Sequence, residues 1–210
     1  METASGIGIE RGVLRGTPVV FAAASGSIDR REERRLVEAA QQGSEESLES
    51  LFRLHWPRAL KASFLIVHDA AAAEDIAQEA FLSAIRSLDR FDRRRPFGPW
   101  LHRIVVNRAI DWTRMRKYRR EVRFEPAAIE AEPGAGGDGA DLAAAGLSDG
   151  LTTALAALSA EHRAVVVLRY LLEYTPAEIA KALDLPRGTV NSRLRRALDR
   201  LAGAYGEDPR

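Results

Sequence analysis

Three groups of side chains have types and spacings suited to chemistry, and in each case it is the chemistry of binding. Arg103, Asn107 and Arg114 fall on one face of a helix at the 100° step, with Trp100 and Asp111 beside them and Lys117 prolonging the charge. Phosphates want cations, bases want a paired donor and acceptor such as an amide, and unstacked bases want rings, so this stripe suits nucleic acid, including single strands. A solvated cationic helix face is the plainer reading of the same residues. In the second group, Thr189, Ser192, Arg195 and Arg196 project from one side of a C-terminal segment whose other side carries Val190, Leu194, Ala197, Leu198 and Leu201. Arginine can pair bidentately with guanine, and Ser or Thr can serve a phosphate or a base edge. The third group is Leu82, an apolar residue in the midst of Asp75, Gln78, Glu79 and Arg86, which suits a basic partner helix but would equally pass as a lone exposed leucine.

Bond-making chemistry has no comparable constellation. The four histidines, His55, His68, His102 and His162, are scattered and Cys is absent. No nucleophile or metal-ligand spacing occurs, so neither a metal nor a cofactor is expected, and a nuclease would need clustered carboxylates or histidines. The missing cysteines also exclude disulfides and fit a reducing compartment. No apolar run approaches the roughly 20 residues of a membrane span, and a cytoplasmic location is expected. Net charge is only +1, so affinity for nucleic acid must come from segregated charge. Segregation is plain in residues 91–123, where eleven Arg and Lys oppose Asp92, Asp111 and Glu121.

The elements that must hold these groups are helices. Residues 1–28 are Gly/Ser/Ala-rich and read as a disordered extension rather than a signal peptide. A first domain spans 29–123. Leu36, Val37, Ala39 and Ala40 mark its first helix; Gly43 stops it and Ser44 caps the next, which Pro57 should kink or divide. Asp69 caps a third helix with Ala77, Ala80, Phe81, Ala84, Ile85 and Leu88 as its core stripe. Pro99 fits the first turn of a long fourth helix, whose core side is predicted to be Leu101, Ile104, Val105, Trp112 and Met115. Residues 124–146 contain Pro126, Pro133, five acids and no basic residue, and read as a flexible acidic linker. About 22 such residues span roughly 25 Å as a coil and up to roughly 75 Å extended, so the flanking domains could reach separate parts of one ligand.

A smaller domain occupies 147–204, followed by a tail at 205–210. Thr175, Pro176 and Glu178 predict a helix start with a capping box, and the turn 184–188 leads into the helix bearing Thr189 and Arg196. Two short helices joined by a tight turn, with Ser, Thr and Arg facing outward, describe a helix-turn-helix; a plain helical hairpin is the alternative. The predicted fold class is all-α, with two small helical domains joined by a flexible acidic linker.

Three segments, AEDIAQEAFLSAI, PFGPWLHRIVVNRAID and LSAEHRAVVVLRYLLEYTPAEIAKALDLPRGTVNSRLRRALDRL, resemble in order and spacing regions 2 and 4 of extracytoplasmic-function sigma factors of the sigma-70 family. The resemblance implies a transcription-initiation subunit without catalytic residues. It would bind the clamp helices and flap of core RNA polymerase and recognise and help melt promoter DNA, with an anti-sigma factor as a further candidate partner. Asp75, Gln78, Glu79 and Leu82 match the polymerase-docking face. Phe91, Phe97, Trp100, Arg103, Asn107, Arg114 and Lys117 would serve the unwound −10 strand, and Arg187, Thr189, Ser192, Arg193, Arg195 and Arg196 the −35 duplex. The chain departs from the family at Asn191, where Lys or Arg is frequent, and in the run Arg93-Arg94-Arg95, which makes the base-capture loop unusually basic. A stand-alone helix-turn-helix regulator would explain the second domain, but neither the setting of Leu82 nor a second site suited to single strands.

Overall fold

Helix starts in this chain are set by side chains that accept backbone N–H groups of the first turn, which have no partner inside the helix. The computed structural model describes residues 13–14, 17–18, 29–123 and 149–206. Asp29 caps α1 (Arg30–Gln41), Ser44 caps α2 (Glu45–Val67) and Asp69 caps α3 (Ala70–Ser87). Gly43, at φ +93°, supplies the left-handed turn between α1 and α2 that a β-carbon would strain. A 3₁₀ turn, Leu88–Arg90, then leads through a loop into α4 (Phe97–Arg123). The C-terminal helices are α5 (Asp149–Ala156), α6 (Ala160–Val166) with a π-helical continuation at Val167–Leu171, α7 (Pro176–Leu183) and α8 (Arg187–Gly206). Two-residue strands, Val13–Leu14 and Thr17–Pro18, pair antiparallel. The rest of the expected extension and the whole acidic linker lie outside the described residues.

Pro57 does not divide α2. The helix runs through it, with Leu51 buried before it and Ala59, Leu60 and Ala62 buried after it, so packing on both sides outweighs the one backbone hydrogen bond that the proline removes. Nor are the two helical domains separate bodies. Val37, Leu51, Phe81, Phe97, Leu101 and Val105 form a core within α1–α4. A second core joins Leu60, Leu65, Ile76, Val106 and Ile110 to Leu155, Val165, Leu168 and Ile179 of the C-terminal domain. Burying a Leu or Ile side chain contributes about 1.5–3 kcal/mol, so this shared core holds the C-terminal domain against α2 and α4. Apolar contact therefore opposes separation of the two.

That docking explains a correction to α4. Leu101 and Val105 are buried as expected, but so are Val106, Ala109 and Ile110; Ile104 and Trp112 are half-buried and Met115 is exposed. The helix packs on α2 and α3 along one side and on α6 and α7 along another, so its buried surface is wider and differently centred than a one-sided stripe predicts.

Candidate DNA and partner interfaces

The helix-turn-helix forms as its local signals require. Thr175 Oγ1 accepts from the Glu178 N–H at 3.3 Å, and the Glu178 carboxylate accepts from the Thr175 N–H at 2.8 Å, completing the capping box. Asp184 ends α7 in the left-handed conformation, and the Leu185 N–H closes on the Ala180 carbonyl at 2.9 Å. Val190, Leu194, Ala197 and Leu201 are buried, which turns Arg187, Arg195 and Arg196 to solvent. Thr189, Ser192 and Arg193 are half-buried. Ser192 donates its hydroxyl proton to the Thr189 carbonyl at 3.0 Å, which leaves its oxygen available to an external ligand as an acceptor. Positive charge is concentrated here: after burial, Arg200, Arg193 and Arg196 are what hold the His162 pKa below its ordinary value.

The start of α4 is fixed from far away in the chain. Glu33 on α1 is buried, and its two carboxylate oxygens accept from the Phe97 and Gly98 N–H groups at 3.2 and 3.1 Å. His55 Nε2 lies 3.1 Å from the same carboxylate, close enough for an ion pair although off line for a straight hydrogen bond. Burial pushes the Glu33 pKa up, but contact with His55 and the two N–H groups outweigh it and leave the carboxyl below its ordinary value. The approach at Gly98 is tight: a β-carbon there would stand 3.0 Å from His55 Cε1 and would push the ring back by a few tenths of an ångström.

Further along α4, His102 is buried, its Nδ1 3.5 Å from the Tyr174 hydroxyl of the C-terminal domain. Burial, with the nearby positive charges of His55 and Arg58, pushes the His102 pKa down to about 3, so the ring is neutral at pH 7. None of Glu33, His55, His102 and Tyr174 was singled out for a site from sequence. His102 did carry a signal, a ring beside the predicted core residue Leu101 and shortly before Ile104, Val105 and Val106.

On the outer face of α4, Arg103 is exposed and Asn107 half-exposed, and neither side chain hydrogen-bonds among the described residues. Trp100 is half-buried, while Arg114 and Lys117 are exposed. Arg114 lies 3.5 Å from Glu161 of the C-terminal domain and 3.8 Å from Asp111, and Lys117 lies 3.8 Å from Glu121. Two expected stacking platforms are corrected. Phe91 is 8 % and Phe97 4 % exposed, because they pack with Trp100 at ring centroid separations of 4.6 and 5.6 Å. They support the loop, and Trp100 is the ring that reaches solvent.

The acidic face of α3 stands as predicted. Asp75, Gln78 and Glu79 are exposed around Leu82, which is 51 % exposed. Glu79 also accepts from Arg108 at 2.7 Å, tying this face to α4. Ile85, expected in the core stripe, is instead 45 % exposed, one 100° step beyond buried Ala84. With Leu82 and Phe52 it widens the apolar patch, and a patch rimmed by polar groups marks an interface. Among the described residues there is no cluster of three or more potential metal ligands, and no helix is long and apolar enough to cross a membrane.

Residues 51–121 match the family described as Sigma-70 region 2, and residues 148–201 match Sigma-70, region 4. The RNA polymerase sigma factor CarQ of Myxococcus xanthus is 32 % identical over 176 residues, covering 81 % of this chain and 96 % of that protein. The ECF RNA polymerase sigma factor SigM of Mycobacterium tuberculosis is 31 % identical over 176 residues, covering 84 % of this chain and 86 % of its own. Among solved structures, CnrH in complex with the cytosolic domain of CnrY superposes with a TM-score of 0.60 at 25 % identity, over 85 % of this chain and 99 % of that one. The sigma factor RpoE of Bartonella quintana, in complex with the anti-sigma factor NepR, gives 0.57 at 25 % identity, over 77 % and 98 %.

Proposed function

The chain belongs to the sigma-70 family, in its extracytoplasmic-function group, and on that premise we propose how its three faces divide the work of directing RNA polymerase to promoters. The acid-ringed patch of Leu82 and Ile85, with Asp75, Gln78 and Glu79, docks on a basic helical surface of the core enzyme. The exposed face of α8 enters the major groove at the −35 element, with Arg187, Arg195 and Arg196 as candidate base or phosphate contacts and Thr189, Ser192 and Arg193 at its edge. Trp100, Arg103, Asn107, Arg114 and Lys117 on α4 receive the −10 strand once it unpairs. The polymerase performs the chemistry, in the cytoplasm, and this chain contributes no catalytic group.

The observation that carries this reading is the exposed Leu82–Ile85 pair ringed by carboxylates, on the same chain as a helix-turn-helix. A regulator acting alone has no use for that patch.

Simultaneous use of both DNA faces requires the structure to open. Two elements some 25 base pairs apart are separated by roughly 85 Å along the duplex at 3.4 Å per pair, whereas His102 and Tyr174 are 3.5 Å apart. Docking on polymerase therefore has to supply the free energy that parts α4 from α6 and α7. A partner of the class seen with CnrH and RpoE would act in the opposite sense, by holding the shut form.

Run-off transcription with purified core polymerase on genomic DNA tests the reading. Discrete start sites that depend on this chain are expected. Nanomolar sequence-specific binding to duplex DNA by the chain alone, with no promoter-specific initiation, would assign it to the stand-alone regulators.

A further inference from the structure

Two histidines of the first domain face the C-terminal domain across the shared core. His102 on α4 meets Tyr174, and His68, the left-handed residue that ends α2, lies within reach of the Arg163 charge on α6. In each ring Nε2 is buried and has no hydrogen-bond partner among the described residues. A buried polar atom left unpaired weakens the state that buries it, so the apolar contact between the domains is opposed at these two points.

Each contact admits only the neutral ring. Burial, with the charges of Glu178 and Glu33, keeps the Tyr174 phenol protonated well above its ordinary range, so it donates to His102 Nδ1 at 3.5 Å. The one proton of neutral His102 then rests on Nε2. A second proton, on Nδ1, would displace the Tyr174 contact and set a cation beside His55 and Arg58. Glu33, the acid that faces it, already accepts from the Phe97 and Gly98 N–H groups and lies 3.1 Å from His55. At His68 the C-terminal end of α2 favours a cation, yet burial and then Arg163 bring the pKa down to about 4. Nearby acids are committed elsewhere: Asp69 caps α3 and lies 3.3 Å from Arg116, and Glu161 lies 3.5 Å from Arg114. Parting the domains removes Tyr174 and Arg163 and admits water, which returns both rings toward the ordinary 6.5.

We infer that the seam between the domains is a proton-responsive clasp, closed while His68 and His102 are neutral and loosened in mild acid, because each ring takes up a proton when the C-terminal domain leaves. The inference rests on the opening proposed above for joint use of the two DNA faces, and it makes that opening depend on pH. The closed values, about 3 for His102 and about 4 for His68, lie below the open one, so closure is at full strength above pH 6.5 and weakens as pH falls. From pH 7 to 5 the opening constant should rise by up to about 20-fold for each histidine. Burial raises the Glu161 carboxyl, but its own N–H and Arg114 outweigh this and hold it below 4.5, so the pair with Arg114 stays charged throughout that range.

The test counts protons as the full chain docks on core polymerase, by calorimetry in buffers of different ionisation enthalpy. Because the chain has no cysteine, Gln42→Cys and Asp199→Cys, at exposed positions in the two domains, place a dye pair that reports opening. Energy transfer should drop on docking, with proton uptake rising from near zero at pH 8 to about 1.5 at pH 6. His102→Gln and His68→Asn, the latter suited to a left-handed residue, should each remove about half of the uptake at pH 6, and the double variant nearly all of it. A drop in transfer with the same uptake in wild type and double variant overturns the clasp and leaves the opening intact. Should the variants melt early, the wild-type titration decides, and uptake that is flat between pH 8 and 6 is fatal to the clasp. Transfer unchanged by bound polymerase contradicts the opening itself, and the clasp falls with it.

Discussion

The two DNA-facing helices differ in where their instructions are written. The signals that start α7 and turn the chain into α8 lie within a short stretch of sequence: the Thr175–Glu178 box, left-handed Asp184, and the Leu185 N–H closing on Ala180. The start of α4 is held by Glu33, 64 and 65 residues from the N–H groups it accepts. Farther along, α4 abuts the C-terminal domain through His102 and Tyr174. A locally specified helix can act as a rigid reader of duplex DNA. One specified through two other helices and a second domain can respond when those neighbours move, as an element that acts during strand opening must.

The largest expected effect breaks the remote anchor. Glu33→Ala leaves two N–H groups and His55 without their buried acceptor and should cost about 2–4 kcal/mol in urea unfolding. A loss no greater than that of a surface substitution would mean that α4 is held by its apolar contacts alone.

Acid should destabilise the fold as well. His102, at about 3, and His68, lowered to about 4 by burial and then by Arg163, both sit below the ordinary 6.5. The unfolded chain takes up these protons first, so stability should fall as pH drops from 6.5 towards 4, by up to about 1.4 kcal/mol per pH unit for each ring. Glu33 adds to this at lower pH, because its depressed folded pKa makes a contribution that is present above 4.5 and lost as pH falls through the folded value. Urea titrations at pH 7 and pH 5 read the histidine part, and equal midpoints would contradict it.

Leu82→Ala should weaken association with core polymerase by about 1–3 kcal/mol and leave the melting temperature nearly unchanged, since the side chain is half in water. A large drop in melting temperature with unaltered affinity would make Leu82 part of the fold instead. The smallest effect sharpens the comparison from the local side: Thr175→Ala should cost about 1 kcal/mol, clearly less than Glu33→Ala. The reverse order would invert the contrast between local and remote specification.

Legibility in the sequence followed the same division. Caps at Ser44, Asp69 and Thr175 could be read because neighbours within four residues decide them, and the stripe of α8 because its apolar residues recur at helical spacing. Met115, Ile85, Phe91 and Phe97 could not be placed correctly, since each depends on which distant helix covers it. Aromatic rings beside a basic helix read as platforms for bases, yet Phe91 and Phe97 face each other and Trp100 instead. The shared core escaped notice because an acidic linker indicates freedom to separate and says nothing about apolar surface on the domains it joins.

Permanganate footprinting of promoter complexes formed by Asn107→Ala and Arg196→Ala holoenzymes tests the division between α4 and α8 most directly. Arg196→Ala should weaken duplex binding by about 1–3 kcal/mol and relax preference at the −35 element. Asn107→Ala should bind the closed promoter nearly as wild type does, yet leave −10 thymines unreactive, with reactivity recovered at least in part on a pre-melted template, because its ligand exists only after a base leaves the stack. Normal opening of duplex promoter by the Asn107 variant would contradict the assignment of α4 to the unwound strand.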